Sequence, residues 1–291
     1  MKKFSYFILS LVVFIGLPTL ASYKVYEADL SESEWVFSGN PLGCQLTHNV
    51  PNYGDAIFNE RAGKNKALRF GLNYKRQPIT ATNTASVHSL SPSWQPTQRP
   101  KDLGEIAISS GPQIFKAKDT ASWKLLNELE VGRFPTFRYQ EFESIEDQVA
   151  VSLSAVGFKN SYDQFLTCLT TLVDHSLEEL MKMTLRFDFD QHTVRDTYKK
   201  KLRSLAAYIK HDQRIDVIFV NGYTDNKGSK GYNRALAQKR INSVKKILMA
   251  QGADEECFRT LAFGEANPVA SNRQADGRAK NRRVFIKVAQ K

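Results

Sequence analysis

The sequence predicts two domains: an N-terminal one that is mainly β with short helices, and a C-terminal α/β (α+β) sandwich. Three observations predict it. At 291 residues the chain is long enough to bury two cores. Near Asp174 to Ser176 the rhythm changes from short alternating runs, broken by Pro and Gly, to strand, helix, strand, helix, strand. Charge breaks at the same place: Leu177 to Lys291 holds 24 Lys and Arg against 13 Asp and Glu, whereas Ser22 to Ser176 holds 15 against 17. The expected units are residues 1–21, 22–176 and 177–291.

Residues 1–21 read as a cleaved signal peptide. Lys2 and Lys3 precede an apolar run from Phe4 to Leu17, then Pro18, Thr19, Leu20 and Ala21, with cleavage expected after Ala21. The other reading is a membrane anchor, but the run is about 14 residues where a bilayer span needs roughly 20. The first cysteine is Cys44, too far on to accept a lipid at the cleavage site. Export makes a periplasmic, oxidisable mature chain the expectation.

From Ser22 to about Phe158 the chain reads mostly as strands. Leu68 to Tyr74 and Val149 to Val156 carry β-branched, aromatic and alternating residues, and Ser91 to Pro100 interrupts them. One helix is expected after Thr120, ending at Gly132. A second is expected to open on Ser161 and Gln164 as a capping box and to run to about Leu172. Phe165, Cys168, Leu169 and Leu172 share one face of it, while Cys44 sits in an alternating segment. A Cys44 to Cys168 bridge is the favoured pairing of the three cysteines, worth on the order of 4 kcal/mol by chain entropy. Three buried free thiols are the alternative.

Beyond Ser176, Met183, Leu185, Phe187 and Phe189 alternate with Thr184, Arg186, Asp188 and Asp190, as in a strand with one buried face. A helix capped by Thr193 and Asp196 should bury Val194, Tyr198, Leu202, Leu205 and Ile209. Ile215 to Val220 suits a central strand. A loop from Gly222 to Gly228 leads into a long helix from about Gly231 to Ala250, closed by Gly252, and further strands fit Phe258 to Phe263 and Arg283 to Val288. Strands alternating with helices give helices packed on a sheet.

The long helix carries an anomaly. At 100° per residue, Arg240 falls within the arc defined by Leu236, Ala237, Ile241, Val244, Ile247 and Leu248, whereas Lys239, Lys245 and Lys246 fall outside it. A charge on a core-facing arc must be paired, because an unpaired buried charge is costly. Asn233 shares that side of the helix, and Asp225 lies in the loop before it. An acid, an amide and an arginine near one helix start suit a zwitterionic ligand, with Asp225 for an ammonium and Arg240 for a carboxylate. The alternative is purely structural: Asp225 as a turn residue with Arg240 as its salt-bridge partner.

Gly222-Tyr223-Thr224-Asp225, then Asn233, Leu236 and Arg240, then Phe263-Gly264-Glu265, Pro268-Val269-Ala270, Asn272 and Gly277-Arg278-Ala279-Lys280-Asn281-Arg282-Arg283-Val284 resemble the OmpA-like peptidoglycan-binding domain. The resemblance covers roughly Leu177 to Lys291 and implies that Asp225 and Arg240 bind the free amino-acid end of diaminopimelate in the murein stem peptide. It implies accessory roles for Asn233 and Arg282, and Thr224, within the matched motif, is counted with the ligand-binding residues. Ala237 departs from the Ser common in that family.

Pro41-Leu42-Gly43-Cys44-Gln45-Leu46-Thr47-His48, Pro51, Tyr53-Gly54-Asp55-Ala56, Gly132-Arg133-Phe134-Pro135-Thr136-Phe137 and the helix bearing Cys168 resemble the MotY family. That resemblance implies a periplasmic T-ring component of a flagellar motor. Its N-terminal domain would meet the basal body and MotX, and its C-terminal domain would hold peptidoglycan so that stator units assemble around the rotor. A general OmpA-like envelope anchor without a flagellar role is the alternative.

Other classes fit less well. Net charge is +11, which suits a polyanion, but export argues against nucleic acid. An outer-membrane barrel needs strands of about 9 to 11 residues, longer than the Pro-interrupted runs here. The histidines His48, His88, His175, His192 and His211 are scattered without metal-ligand spacing, and Cys257 has no sequence-near His and acid. No catalytic residue, metal or cofactor is expected.

Overall fold

The computed structural model describes residues 23–75, 80, 82–92, 94–95, 99–141 and 148–291. The expected signal peptide and part of the Ser91 to Pro100 stretch lie outside the described residues.

The N-terminal domain is built on two five-stranded sheets. In one, β2 (Trp35–Asn40), β3 (Gly43–Val50), β4 (Gly54–Arg61), β5 (Arg69–Asn73) and β8 (Gln113–Lys118) lie in that order, all antiparallel. In the other the order is β1 (Tyr23–Tyr26), β10 (Gln148–Ser152), β9 (Phe134–Gln140), β6 (Thr84–Leu90) and β7 (Lys101–Ala107), with β1 parallel to β10. Period-two alternation turns Cys44, Leu46, His48 and Val50 of β3 inward. The sheets meet through stacked rings, Phe70 with Phe137 at 5.6 Å and Phe115 with Phe137 at 4.9 Å. Helix α1 (Thr120–Glu130) buries Leu125, Leu126 and Leu129 against this core.

Helix α2 (Phe158–Thr171) has Gly157 as its N-cap, four residues before the Ser161 that the capping box predicts. Gly157 turns the chain with φ +73°, a conformation that needs no Cβ, and Ser161 is interior, its hydroxyl donating to the Trp35 carbonyl at 2.5 Å. Cys168 of α2 and Cys44 of β3 form the favoured disulfide, their Cα atoms 6.0 Å apart.

The C-terminal domain opens on Ser176, which with Glu179 forms a capping box for α3 (Leu177–Leu180). Then follow β11 (Lys182–Arg186), α4 (Asp196–His211), β12 (Ile215–Tyr223), α5 (Lys230–Met249), β13 (Phe258–Gly264), α6 (Ala275–Asn281) and β14 (Arg283–Gln290). The sheet order is β11-β14-β12-β13, with β12 and β13 parallel and β14 antiparallel to β11 and β12. Leu202 and Leu205 of α4 and Ile241, Val244 and Leu248 of α5 share one core with Ile218, Val220, Val284 and Ile286 of the sheet.

Two expectations fail here. Strand β11 stops at Arg186, and after Phe187 pairs with the Arg282 carbonyl the chain turns through Asp190, with φ +56°; Phe189 is therefore 63% exposed and not on the buried face. Thr193 does not cap α4: the residue before the helix is Arg195, which makes no side-chain cap bond, and Asp196 lies in the first turn. At the junction, Asp174 pairs with both Lys66 of the first domain and Lys200 of α4, and those hydrogen bonds hold its carboxyl down to about 2.

Candidate ligand site at the start of helix α5

The site is positioned by a close approach. A Cβ on Gly222 would lie 2.6 Å from the Ala237 carbonyl, so only glycine lets α5 sit this near the end of β12. The next residues are fastened to β13, Thr224 N–H donating to the Gly264 carbonyl at 2.7 Å. Ser229 caps α5, its hydroxyl accepting from Tyr232 N–H. Asn233, Leu236, Ala237, Arg240 and Ile241 then face inward, as the helical angles predict.

Arg240 is fully buried. Its partners are neither Asp225 nor another carboxylate but three backbone carbonyls: Nε to Gln191 at 2.8 Å, Nη1 to Tyr223 at 2.9 Å and Nη2 to Asp188 at 3.2 Å. Its guanidinium also lies 5.1 Å from the Phe187 ring centre. Burial, then the neighbouring Arg282, pulls its pKa down from the ordinary arginine range to about 10, which leaves it charged at neutral pH. Three of five guanidinium N–H groups are used.

Asp225 pairs elsewhere. Its Oδ2 accepts from Arg282 Nη1 at 3.0 Å and its Oδ1 from Lys227 N–H at 3.1 Å. The reading of Asp225 as the salt-bridge partner of Arg240 is thus corrected: β14 brings Arg282, 57 residues away, to the same loop. Arg282 Nε donates to the Phe187 carbonyl, which fixes its direction.

All five expected site residues, Asp225, Arg240, Asn233, Thr224 and Arg282, line one cavity of about 220 Å³. Within it Thr224 Oγ1 and Asn233 Oδ1 are buried without a hydrogen-bond partner among the described residues. Such atoms cost free energy unless something binds them. Asn233 is oriented by its amide donating to Glu265 at 2.8 Å. The rim is aromatic and acidic: Phe189, Asp190 and Tyr232, whose hydroxyl donates to Asp190.

Sequence reasoning missed the carbonyls of Asp188, Gln191 and Tyr223, because backbone acceptors carry no residue signature. It also missed Phe189, Asp190, Tyr232 and Lys227. Glu265, in the Phe263-Gly264-Glu265 run, gains its role only from its contact with Asn233. Among the described residues no group of three or more His, Cys, Asp or Glu could hold a metal ion.

The fold and site define a two-domain protein: a helix-on-sheet domain with a charged, hydrogen-bonding cavity at a strand-to-helix loop, joined to a β-domain. Residues 26–173 match the MotY N-terminal domain and residues 186–282 the OmpA family. The sodium-type flagellar protein MotY of Vibrio parahaemolyticus is 33% identical over 279 residues, 94% of each chain. The chain belongs to the MotY family. The peptidoglycan-associated lipoprotein of Buchnera aphidicola is 37% identical over 161 residues, 55% of this chain and 83% of that one. Among solved structures, the C-terminal domain of Helicobacter pylori MotB is 25% identical, with a TM-score of 0.34, covering 38% of this chain and 85% of that one.

Proposed function

We propose that the chain is a non-catalytic periplasmic component of the flagellar motor that anchors to peptidoglycan and supports stator assembly around the rotor. Residues 1–21 act as a cleaved signal peptide, 22–176 meet the basal body and MotX within the T ring, and 177–291 hold the wall. A stator exerts force on the rotor and so needs a stiff tether.

The observation that carries this reading is the cavity at the start of α5. It presents a carboxylate at Asp225, guanidinium N–H groups at Arg240, and two unpartnered acceptors or donors at Thr224 and Asn233. Asp225 takes the ammonium of a diaminopimelate end and Arg240 its carboxylate, through the N–H groups its carbonyl partners leave free. Arg282 holds Asp225 in place. The chemistry is binding alone, with no cofactor and no role for nucleic acid.

The test is genetic. Deleting the gene should leave flagella present and paralysed, and a chain carrying Asp225→Asn should fail to restore swimming; normal swimming in the deletion strain would sink the motor role.

A further inference from the structure

A second cavity, of about 540 Å³, lies on the other side of the same strand ends. Arg282 and Arg283 are neighbours in sequence, but their side chains part: Arg282 reaches Asp225 in the first cavity and Arg283 lines the second. Tyr223 is divided likewise, its carbonyl accepting from Arg240 and its ring walling the second cavity.

This second cavity is cationic. Arg186, Lys280 and Arg283 line it, and no carboxylate does. Arg283 is a fixed charge, stacked 3.8 Å from the Tyr223 ring centre and held by the carbonyls of Asn267 and Asn281. Arg186 and Lys280 make no ion pair among the described residues.

The ladder between β11 and β14 extends this positive charge along the strands. Arg186 stands opposite Arg283, and two residues along each strand beyond Thr184 and Phe285, Lys182 stands opposite Lys287. Alternation puts all four on one face. Like charges directly opposite in an antiparallel pair repel and destabilise it. Two such pairs in a row, with no acid between them, cost stability that an anion lying along the strands would recover.

We propose that this face is a second binding site, for an anionic, carboxylate-bearing strand of the same wall polymer whose peptide end enters the first cavity. The proposal rests on the peptidoglycan-binding reading. A polymer is favoured over an acidic protein because the two cavities share Tyr223 and the Arg282-Arg283 step, so one chain can reach both.

The test uses the full mature chain carrying Lys182→Glu and Arg186→Glu. These changes turn both like-charge pairs into opposite-charge pairs, so the fold should melt no lower than wild type. Binding of a soluble stem peptide ending in diaminopimelate should be unchanged. Affinity for purified peptidoglycan should fall roughly tenfold at low salt, the scale expected for two lost charge pairs, and the difference should fade at high salt. Wild-type affinity for peptidoglycan at low salt would overturn the proposal and leave the cations to another partner, such as an acidic protein. Failure of the underlying reading shows separately, as an Asp225→Asn chain that still binds the stem peptide like wild type.

Discussion

Arg282 donates to Asp225 at 3.0 Å, and both side chains are shielded from water, 15% and 5% exposed. The carboxylate that faces the cavity is therefore neutralised before any ligand arrives. Removing one member of such a pair leaves a buried charge uncompensated. Arg282→Gln should lower the stability of the C-terminal domain by about 3 kcal/mol. A stem peptide whose ammonium replaces the lost cation should then raise the melting temperature of the variant more than that of wild type; an equal or smaller rise would show that the ammonium does not reach Asp225.

Arg240 has a double duty. Its three bonds to Asp188, Gln191 and Tyr223 tie α5 to the turn after β11 and to the end of β12. Arg240→Ala strands those carbonyls and should cost about 3 kcal/mol or more in urea unfolding. Arg240→Lys, which keeps the charge but loses the fork, should fall between the two. An alanine variant as stable as wild type would contradict the structural half of the role.

The Cys44–Cys168 bridge closes a separation of 124 residues between β3 and α2. Replacing both cysteines by serine should cost the N-terminal domain about 2 to 5 kcal/mol. Peptidoglycan binding should survive, because the buried side chains of the C-terminal core all lie between Leu177 and Val288, with Leu42, Ala62 and Val173 of the first domain only packed against its edge. Loss of wall binding in this variant would mean that the domains depend on each other.

His48 is fully buried, stacked on Trp35 with ring centres 4.7 Å apart, and its Nε2 has no hydrogen-bond partner among the described residues. Burial lowers its pKa below the ordinary 6.5, against smaller opposing effects from the Glu34 carbonyl and Asp55. As pH falls below 6.5 the unfolded chain takes up a proton that the folded chain refuses, so stability falls. The loss levels off once pH drops below the folded value. His48→Gln should flatten this part of the melting profile between pH 7.5 and pH 5; an unchanged slope would assign it to other groups.

Much of this site was legible in the sequence, because a helix is periodic. Arg240 among Leu236, Ile241 and Val244 announces a buried charge, and the same angles bring Asn233 to its side. The disulfide was legible from one helical face and one alternating strand. What pairs with Asp225 was not: Arg282 arrives through the β12 and β14 register, a contact no local pattern encodes. Phe189 was misjudged for a related reason. Its alternation continues that of β11, but the ladder ends at Arg186 and the chain turns. Ser161 looked like a cap because serine suits that role, whereas the backbone freedom of Gly157 set the true start.

Wall binding through the cavity at the start of α5 is measured by co-sedimentation of the mature chain with purified peptidoglycan. Asp225→Asn keeps the side chain's size and its bond from Lys227 N–H while removing the carboxylate charge that Arg282 balances and that the proposed ammonium would meet. Wild type should pellet with the wall, and the variant, folded by circular dichroism, should bind roughly 30-fold more weakly or worse and stay in the supernatant. A folded Asp225→Asn chain that pellets like wild type would contradict the account.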